Sequence, residues 1–357
     1  MSKKFDVIVV GAGISGLSCA KSLREAGKNV LVLEKSRGTG GRLASKRLST
    51  SDWGVLAADL GCEALSGGTQ LFQDHLQMWE RLGVVSYWPE RKGWSVVEKS
   101  SQVTRCLSQG IPLQCETRVT RIEPVECGVA VLCEKGQRLC AEQAIISAPP
   151  AQAGWLLESA GVEAQAVRKE LAQVKMLPQW VVLMAIDPEQ KRQWEARAGE
   201  VQAWGQGVVD AMTLETVKPG RRAEASAEIE TLVLRLTTEW SRKNEDQEAE
   251  KVIGDIKRWC EQVGFSGLAD KEALAHRWLY SRVDGRTCLP GFFRACGGHV
   301  YLCGDYFDLS EASPSMGGDR GRGGPVSDVE RAFLSGVAVA EASLTGKFIK
   351  SANPICV

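Results

Sequence analysis

The chain has 357 residues, 44% of them apolar and 25% charged, which suits a globular protein of about two domains. Its 44 basic and 44 acidic residues cancel, so no basic field is present to hold nucleic acid or an anionic membrane surface. No apolar run reaches the roughly 20 residues of a helical membrane span.

Val7 to Val10 is the continuous apolar run of a buried parallel strand. Gly11, Gly13 and Gly16 follow at G-x-G-x-x-G spacing and open a helical pattern with apolar Leu17, Ala20 and Leu23. Gly27 ends that helix, Val30 to Leu33 is a second apolar strand, and Glu34 stands at its end. Strand, glycine turn, helix, strand and terminal acid make a dinucleotide-binding unit. Gly11 permits the tight turn, Gly13 lets backbone approach a pyrophosphate, and Gly16 lets the helix sit close to the strand. With Ala12, Ile14 and Ser15 these glycines form a helix N-terminus, whose free N–H groups and positive dipole end suit phosphates. Glu34 is placed to accept hydrogen bonds from ribose hydroxyls. Lys35 then leads through a glycine-rich stretch to Gly41 and Arg42. Backbone lying along a diphosphate needs glycines, and an arginine fork suits the same diphosphate. This continuation resembles that of the amine-oxidase-like flavoproteins, which implies FAD rather than NAD.

Further along, Leu43 to Leu48 leads to a turn-like Ser-Thr-Ser-Asp, and Val55 to Leu60 reads as a strand leading to Gly61. A helix is expected from about Thr69 to Leu82, with Leu71, His75, Met78 and Leu82 on one face and Gly83 as its stop. His75 is expected to pack rather than to ligate. A second helix is expected over Val96 to Leu107, then strands over Leu113 to Ile122, Gly128 to Cys133 and Ala141 to Ser147, the last stopped by Pro149 and Pro150. Between 151 and 283 lie seven of the eleven tryptophans, mostly core residues in expectation. Trp180 to Ile186 and Thr231 to Thr237 read as strands of a second sheet, and Gln247 to Val263 as a helix with Val252, Ile256 and Trp259 on one side. His299 to Asp305 is a short buried strand ending in Gly304 and Asp305, where an aspartate can bond the ribitol of FAD. A glycine-rich loop with Arg320 and Arg322 precedes Ser327 to Glu330, a capping-box pattern that opens a last helix. The tail after 350 is expected to lack structure. Twelve cysteines are scattered without a C-x-x-C pair, and only three histidines exist (His75, His276, His299), so no metal site is expected. The opening lacks a signal-peptide pattern, so reduced thiols and a cytoplasmic location are expected.

Spaced segments across nearly the whole chain are similar to the renalase group of the FAD-dependent amine-oxidase-like superfamily. Beyond the glycine motifs they include Asp59 with Gly61, the Thr117 to Val119 segment, Ala148 to Leu157, Glu239 to Ser241, His276 to Tyr280, and Glu330 to Gly336. The resemblance implies FAD contacts at the fingerprint glycines, Glu34, Arg42, the Val119 backbone and Asp305. It implies hydride transfer to flavin, dioxygen as acceptor, and isomeric dihydronicotinamides as substrates. Departures fall on the substrate side: Cys62 to Leu65 replaces a glutamine–aromatic–aromatic run, Trp94 a methionine, Arg331 a small residue, and the 317–324 loop looks inserted.

The sequence therefore predicts an α/β protein. A two-dinucleotide-binding FAD domain with a parallel sheet (1–60, 110–152 and 294–357) is interleaved with an α+β substrate domain carrying a mixed or antiparallel sheet (61–109 and 153–293). Non-covalent FAD is expected at Gly11, Ala12, Gly13, Ile14, Ser15, Gly16, Glu34, Lys35, Gly41, Arg42, Gly61, Val119, Gly304 and Asp305. His276 and Glu63 are the catalytic candidates, acting on a small-molecule substrate. An amine or amino-acid oxidase, a desaturase, and a flavin-binding scaffold or redox sensor without turnover are the alternatives.

Overall fold

The computed structural model describes residues 5–52, 54–197, 207–221, 229–284, 289–290, 292–308 and 327–346. The 317–324 loop with Arg320 and Arg322, and the tail, lie outside the described residues.

The first unit runs β1 (Phe5–Val10), α1 (Ile14–Glu25) and β2 (Val30–Leu33). A hairpin of β3 (Ser45–Thr50) and β4 (Gly54–Asp59) follows. Next come α2 (Gln70–Arg81), a hairpin of β5 (Val85–Trp88) and β6 (Gly93–Val96), and α3 (Ser101–Ser108). The strands β7 (Leu113–Gln114), β8 (Val119–Val125), β9 (Gly128–Cys133) and β10 (Arg138–Ile146) return the chain to the first sheet. After α4 (Pro150–Leu156) and α5 (Glu163–Gln173) the second sheet begins with β11 (Met176–Ile186). It continues through α6 (Pro188–Arg197), β12 (Val209–Leu214), β13 (Glu230–Leu236), α7 (Thr238–Lys243), α8 (Ala249–Gln262) and β14 (Ala273–Val283). The chain closes with β15 (Leu289–Pro290), β16 (Phe293–Ala295), β17 (Val300–Leu302), β18 (Phe307–Asp308) and α9 (Asp328–Thr345).

The first sheet has the main order β16-β17-β10-β1-β2-β7, parallel along that path except for edge strand β16, and the β8–β9 hairpin joins it antiparallel through β10. Its central strands are apolar on both faces because both are covered, as a parallel sheet requires. One face buries Val7, Val9, Val30 and Val32 under α1, α2, α3 and α9. The other buries Ile8, Val10, Leu31 and Leu33 under the β8–β9 hairpin, α4 and α5. The second sheet, order β12-β13-β11-β14, is antiparallel. Trp180, Val182, Met184, Leu232 and Leu234 on one face meet Val252, Ile256 and Cys260 of α8. Val181, Leu183 and Val233 on the other face meet Ala58 and Leu60 from the first hairpin. The expected α/β architecture with two sheets is present. No described helix is long and apolar enough to cross a membrane.

Four local expectations are corrected. Helix α2 buries Phe72, Leu76 and Trp79 and leaves Met78 and Leu82 exposed. Two neighbouring stripes fit the helical period, and the one with the larger aromatics takes the core. Phe72 and Trp79 both pack on the Phe333 ring of α9, so α2, assigned above to the substrate side, shares its core with α1 and α9. Val96 closes β6, and the second helix starts only at Ser101. The strand expected over Leu113 to Ile122 is split into β7 and β8 by Glu116, whose φ of 50° is left-handed. Ser45–Thr50, read as connection and turn, is a strand.

Helices α1 and α9 touch where Gly336 has no side chain. A Cβ there would lie 2.1 Å from both Ser15 O and Ser18 Oγ, and Ser18 Oγ donates to Phe333 O at 2.9 Å. Gly336→Val is expected to destabilise the fold by about 1–3 kcal/mol through overpacking, seen as a lower urea midpoint at unchanged slope. An unchanged midpoint would mean that the two helices can part freely.

Candidate functional site

The site is built where the ends of β1, β2, β10 and β17 meet the second sheet. Gly11 has φ 106°, and Gly13 caps α1 with nothing within 4 Å of an added Cβ. At Gly16 a Cβ would lie 2.3 Å from Gly11 O and 2.6 Å from Ser147 Oγ. The three glycines thus divide the work as expected: a tight turn, an open approach and a close helix–strand contact. Ser147 Oγ donates to Val10 O at 2.9 Å, fixing the turn on β10. Ile14 and Ser15 begin α1, and among the described residues the buried Ser15 Oγ has no partner beyond the weakly accepting Cys303 sulfur beside it.

Glu34 is buried at the end of β2. It accepts from Ala12 N at 2.8 Å and Ser36 N at 2.7 Å, one on each oxygen, leaving acceptor capacity on both. Thr117 N donates to Glu34 O at 2.9 Å, which carries the backbone leading to Val119 alongside the acid. Lys35 points outward instead, towards Gln152 at 3.4 Å. Gly40 N donates to Ala12 O at 3.1 Å, and Gly41, φ 53°, lies where a Cβ would be 3.3 Å from Gly13 Cα. The two glycine segments therefore form one cradle.

Arg42 and Asp305 are brought together directly. Nη1 and Nη2 bond the two carboxylate oxygens at 2.6 and 2.5 Å, and Nη1 also donates to Ser281 O of β14 at 3.0 Å. Gly304 N donates to Ser335 Oγ of α9 at 3.0 Å. Gly61 presses on this corner, for a Cβ there would lie 1.7 Å from Arg42 O. Arg331 folds back, its guanidinium donating to Asp305 O at 3.2 Å and standing 3.6 Å from Asp328.

The catalytic candidates sit on the inner face of the second sheet. His276 on β14 and Arg235 on β13 both register with Val181 of β11, so the three side chains form a row. The His276 ring meets Trp278 edge-on at 4.5 Å. Burial, with the Lys46 charge adding, pushes its pKa down to about 4, so it is neutral at physiological pH. Glu63 receives Arg91 at 3.0 Å and Thr213 Oγ1 at 2.5 Å, with Arg235 Nη1 at 3.8 Å. Its charge is already committed to arginines.

Three features escaped the sequence reading. Asp59 and Glu215 share Lys218, at 3.3 and 2.6 Å, and both also pair with Arg221. Ser100 N and Ser45 Oγ donate to Asp59 at 2.8 and 2.6 Å. Burial works against both charges and pushes the Lys218 ammonium down, yet the two cations and these donors hold Asp59 at about 2. Second, Ser327 does cap α9, accepting from Glu330 N at 3.2 Å. The Glu330 carboxylate does not complete the expected box. It accepts instead from Gly68 N, Thr69 N and Thr69 Oγ1 at 2.6–3.0 Å, joining the N-terminus of α2 to that of α9. Third, Arg235 donates Nε to Gly61 O at 3.2 Å, yet neither Nη atom has a hydrogen-bond partner among the described residues. A charged residue within the apolar run Leu232 to Leu236 was the available signal for Arg235. Lys218 carried none, and the capping-box position of Glu330 signalled its backbone but not the α2 partner of its carboxylate. His75, as expected, packs against Phe333 at 4.7 Å, and no group of metal-ligating residues occurs among the described residues.

Comparison with known proteins fits this geometry. Residues 9–82 match the NAD(P)-binding Rossmann-like domain family. The chain is 46% identical over 66 residues to Protein FLOWERING LOCUS D of Arabidopsis thaliana, 18% of this chain and 8% of that protein. It is 42% identical over 87 residues to flavin-containing amine oxidase B of Cavia porcellus, 24% of this chain and 15% of that protein. The chain thus matches only a small part of these relatives' own length. Among solved structures, putrescine oxidase bound to putrescine superposes with a TM-score of 0.60 at 14% identity, over 96% of this chain and 100% of that one. A chain provisionally assigned as protoporphyrinogen oxidase from Exiguobacterium sp. 255-15 gives 0.62 at 12% identity, over 96% and 99%. These structural likenesses establish the fold.

Three measurements test the electrostatics. Removing the shared cation by Lys218→Met leaves two buried carboxylates facing one arginine and is expected to cost about 3–5 kcal/mol. Asp59 has a folded pKa near 2 against about 3.8 unfolded. Its contribution is therefore full above pH 4 and lost as pH falls towards 2, a loss that Asp59→Asn should abolish. By NMR titration His276 is expected to protonate near pH 4; a midpoint above 6 would contradict its burial.

Proposed function

We propose that the protein is an FAD-dependent oxidoreductase that oxidises a small planar molecule by two-electron transfer to the flavin. The observation that carries this is the double glycine cradle at the N-terminus of α1, with acceptor capacity at Glu34 and an unspent hydroxyl at Ser15. A dinucleotide fits these groups. The diphosphate would be held by the N–H groups at Gly13 to Gly16 and by Ser15 Oγ, the ribose by Glu34, and the adenine by the Val119 backbone. The second glycine segment ending in Gly41 and Arg42 favours FAD over NAD(P), with Arg42, Gly61, Gly304 and Asp305 towards the flavin end.

When bound, FAD would supply the two-electron acceptor, with dioxygen as the terminal acceptor. The chain's own part is to bind, orient and exclude water. His276 is neutral and half-buried, so it orients a substrate by hydrogen bonding and does not donate a proton. Glu63, tied to Arg91 and Thr213, positions its neighbours and is a poor candidate for a general base.

Two substrate classes remain in play. The renalase resemblance favours isomeric dihydronicotinamides, and the likenesses to amine oxidase B and putrescine oxidase favour amines. Anaerobic absorbance titration of the purified protein separates them. A yellow protein bleached by dihydronicotinamide isomers supports the first, and one bleached only by amines the second. Hydrogen peroxide on readmission of air would mark dioxygen as acceptor. A yellow protein bleached by nothing would support the scaffold reading, in which Arg331 closes the flavin face. Gly13→Val is expected to abolish flavin binding. A colourless wild-type protein that FAD cannot reconstitute would sink the proposal.

A further inference from the structure

Arg235 is the residue whose chemistry the fold leaves least used. It is 8% exposed, and among the described residues its one hydrogen bond runs from Nε to Gly61 O at 3.2 Å. Both Nη atoms are buried and without a hydrogen-bond partner among the described residues. A guanidinium carries five N–H donors in a rigid fork, and burying them unsatisfied is costly. Glu63 answers the charge only in part. Its nearest oxygen is 3.8 Å from Nη1, too far for a hydrogen bond, and its other oxygen is held by Arg91 and Thr213. Two arginines thus face one carboxylate, and one positive charge is left over at this point.

The position of that charge matters as much as its size. Gly61 accepts from Arg235 and packs on Arg42 O, so a single residue separates the free fork from the Arg42–Asp305 pair. Arg235 shares its sheet face with Val181, His276 and Trp278. The buried Trp278 Nε1 is a second donor without a partner among the described residues. Apolar ring surface, a neutral imidazole and an uncommitted cationic fork converge on one face, and they complement a flat molecule bearing an anionic oxygen pair.

We propose that Arg235 anchors the carboxylate of an anionic, planar substrate, making it the specificity-determining residue of the site. The geometry suits a carboxylate, because a planar guanidinium binds one through two parallel N–H···O bonds. A simple protonated amine would meet a like charge here, so an amine substrate of this protein would have to carry a carboxylate too. This assignment rests on the flavoenzyme reading for its location beside the cofactor, but not for the binding itself.

The test uses benzoate as the anionic probe and benzamide as its uncharged counterpart. Each is titrated calorimetrically into the purified holoprotein, with flavin content measured on the same samples. Wild type is expected to bind benzoate at least tenfold more tightly than benzamide. Arg235→Gln is expected to weaken benzoate by about 10- to 100-fold with flavin content unchanged, and Arg235→Lys to keep part of the affinity. The wild-type preference is read without any variant, so a misfolded mutant does not spare the idea. Equal affinity for the two probes in wild type, or undiminished benzoate binding in Arg235→Gln, overturns it. Loss of flavin from Arg235→Gln with the benzoate preference intact would give the residue to the cofactor and overturn it as well. A flavin-free wild type that still prefers benzoate through Arg235 would remove the flavoenzyme reading and leave the anion site standing.

Discussion

The bidentate pair of Arg42 and Asp305 is the contact on which the site depends. It joins side chains 263 positions apart, one from the loop after β2 and one from the end of β17. The same guanidinium reaches Ser281 O on β14, so a single side chain ties the segments after β2 and β17 of the first sheet to the second. Such pairing is strong because both partners are charged and the geometry is planar on both sides. Gly61 makes the corner possible, since backbone packs against Arg42 O where no Cβ has room. From this corner the rest of the site follows: the glycine cradle on one side, the inner face of the second sheet on the other.

The interior beside this corner is unusually polar. Asp59, Glu215, Lys218 and Arg221 form a closed group of two anions and two cations, and Glu330, in the first turn of α9, is held by backbone donors at the N-terminus of α2. Buried charges of this kind seldom add net stability over an apolar replacement. What they supply is registration. Asp59 ends β4 and Glu215 and Lys218 follow β12, so the group pins the first hairpin to the second sheet. Glu330 fixes how α2 and α9 start relative to each other. Both devices constrain elements that the apolar cores alone would leave free to slide.

The parts legible in the sequence were those governed by local chemistry. The strand–glycine–helix–strand–acid unit, the GGR continuation and the cap at Ser327 each follow from one residue's backbone freedom or hydrogen-bonding reach, and each is found where expected. The parts that were illegible depend on partners far along the chain. Two stripes of α2 fit the helical period equally, and the core shared with α1, α3 and α9, remote in sequence, takes the one with Phe72, Leu76 and Trp79. The break at Glu116 is a conformational choice that no residue type announces. Glu63 read as a catalytic candidate because Arg91 and Arg235, which engage its charge, are remote from it in sequence. The capping-box reading of Glu330 was right about its backbone and wrong about its carboxylate, since a neighbouring helix offered three donors against one.

The two faces of the second sheet show why the site lies between the sheets. On the outer face, β11 and β13 present Trp180, Val182, Met184, Leu232 and Leu234 to α8, a purely apolar contact. On the inner face the same strands carry Val181, Leu183 and Val233, but also Arg235, with Thr213 on β12 and His276 on β14 as neighbours. A sheet that only had to pack would gain nothing from these polar groups, because each must be desolvated and then satisfied. His276 answers by staying neutral, and Thr213 by donating to Glu63. Arg235 can do neither: its guanidinium cannot shed its proton, and its Nη donors have no protein acceptor among the described residues. The inner face is therefore shaped for something other than packing, and its polarity is concentrated beside the corner formed by Gly61, Arg42 and Asp305.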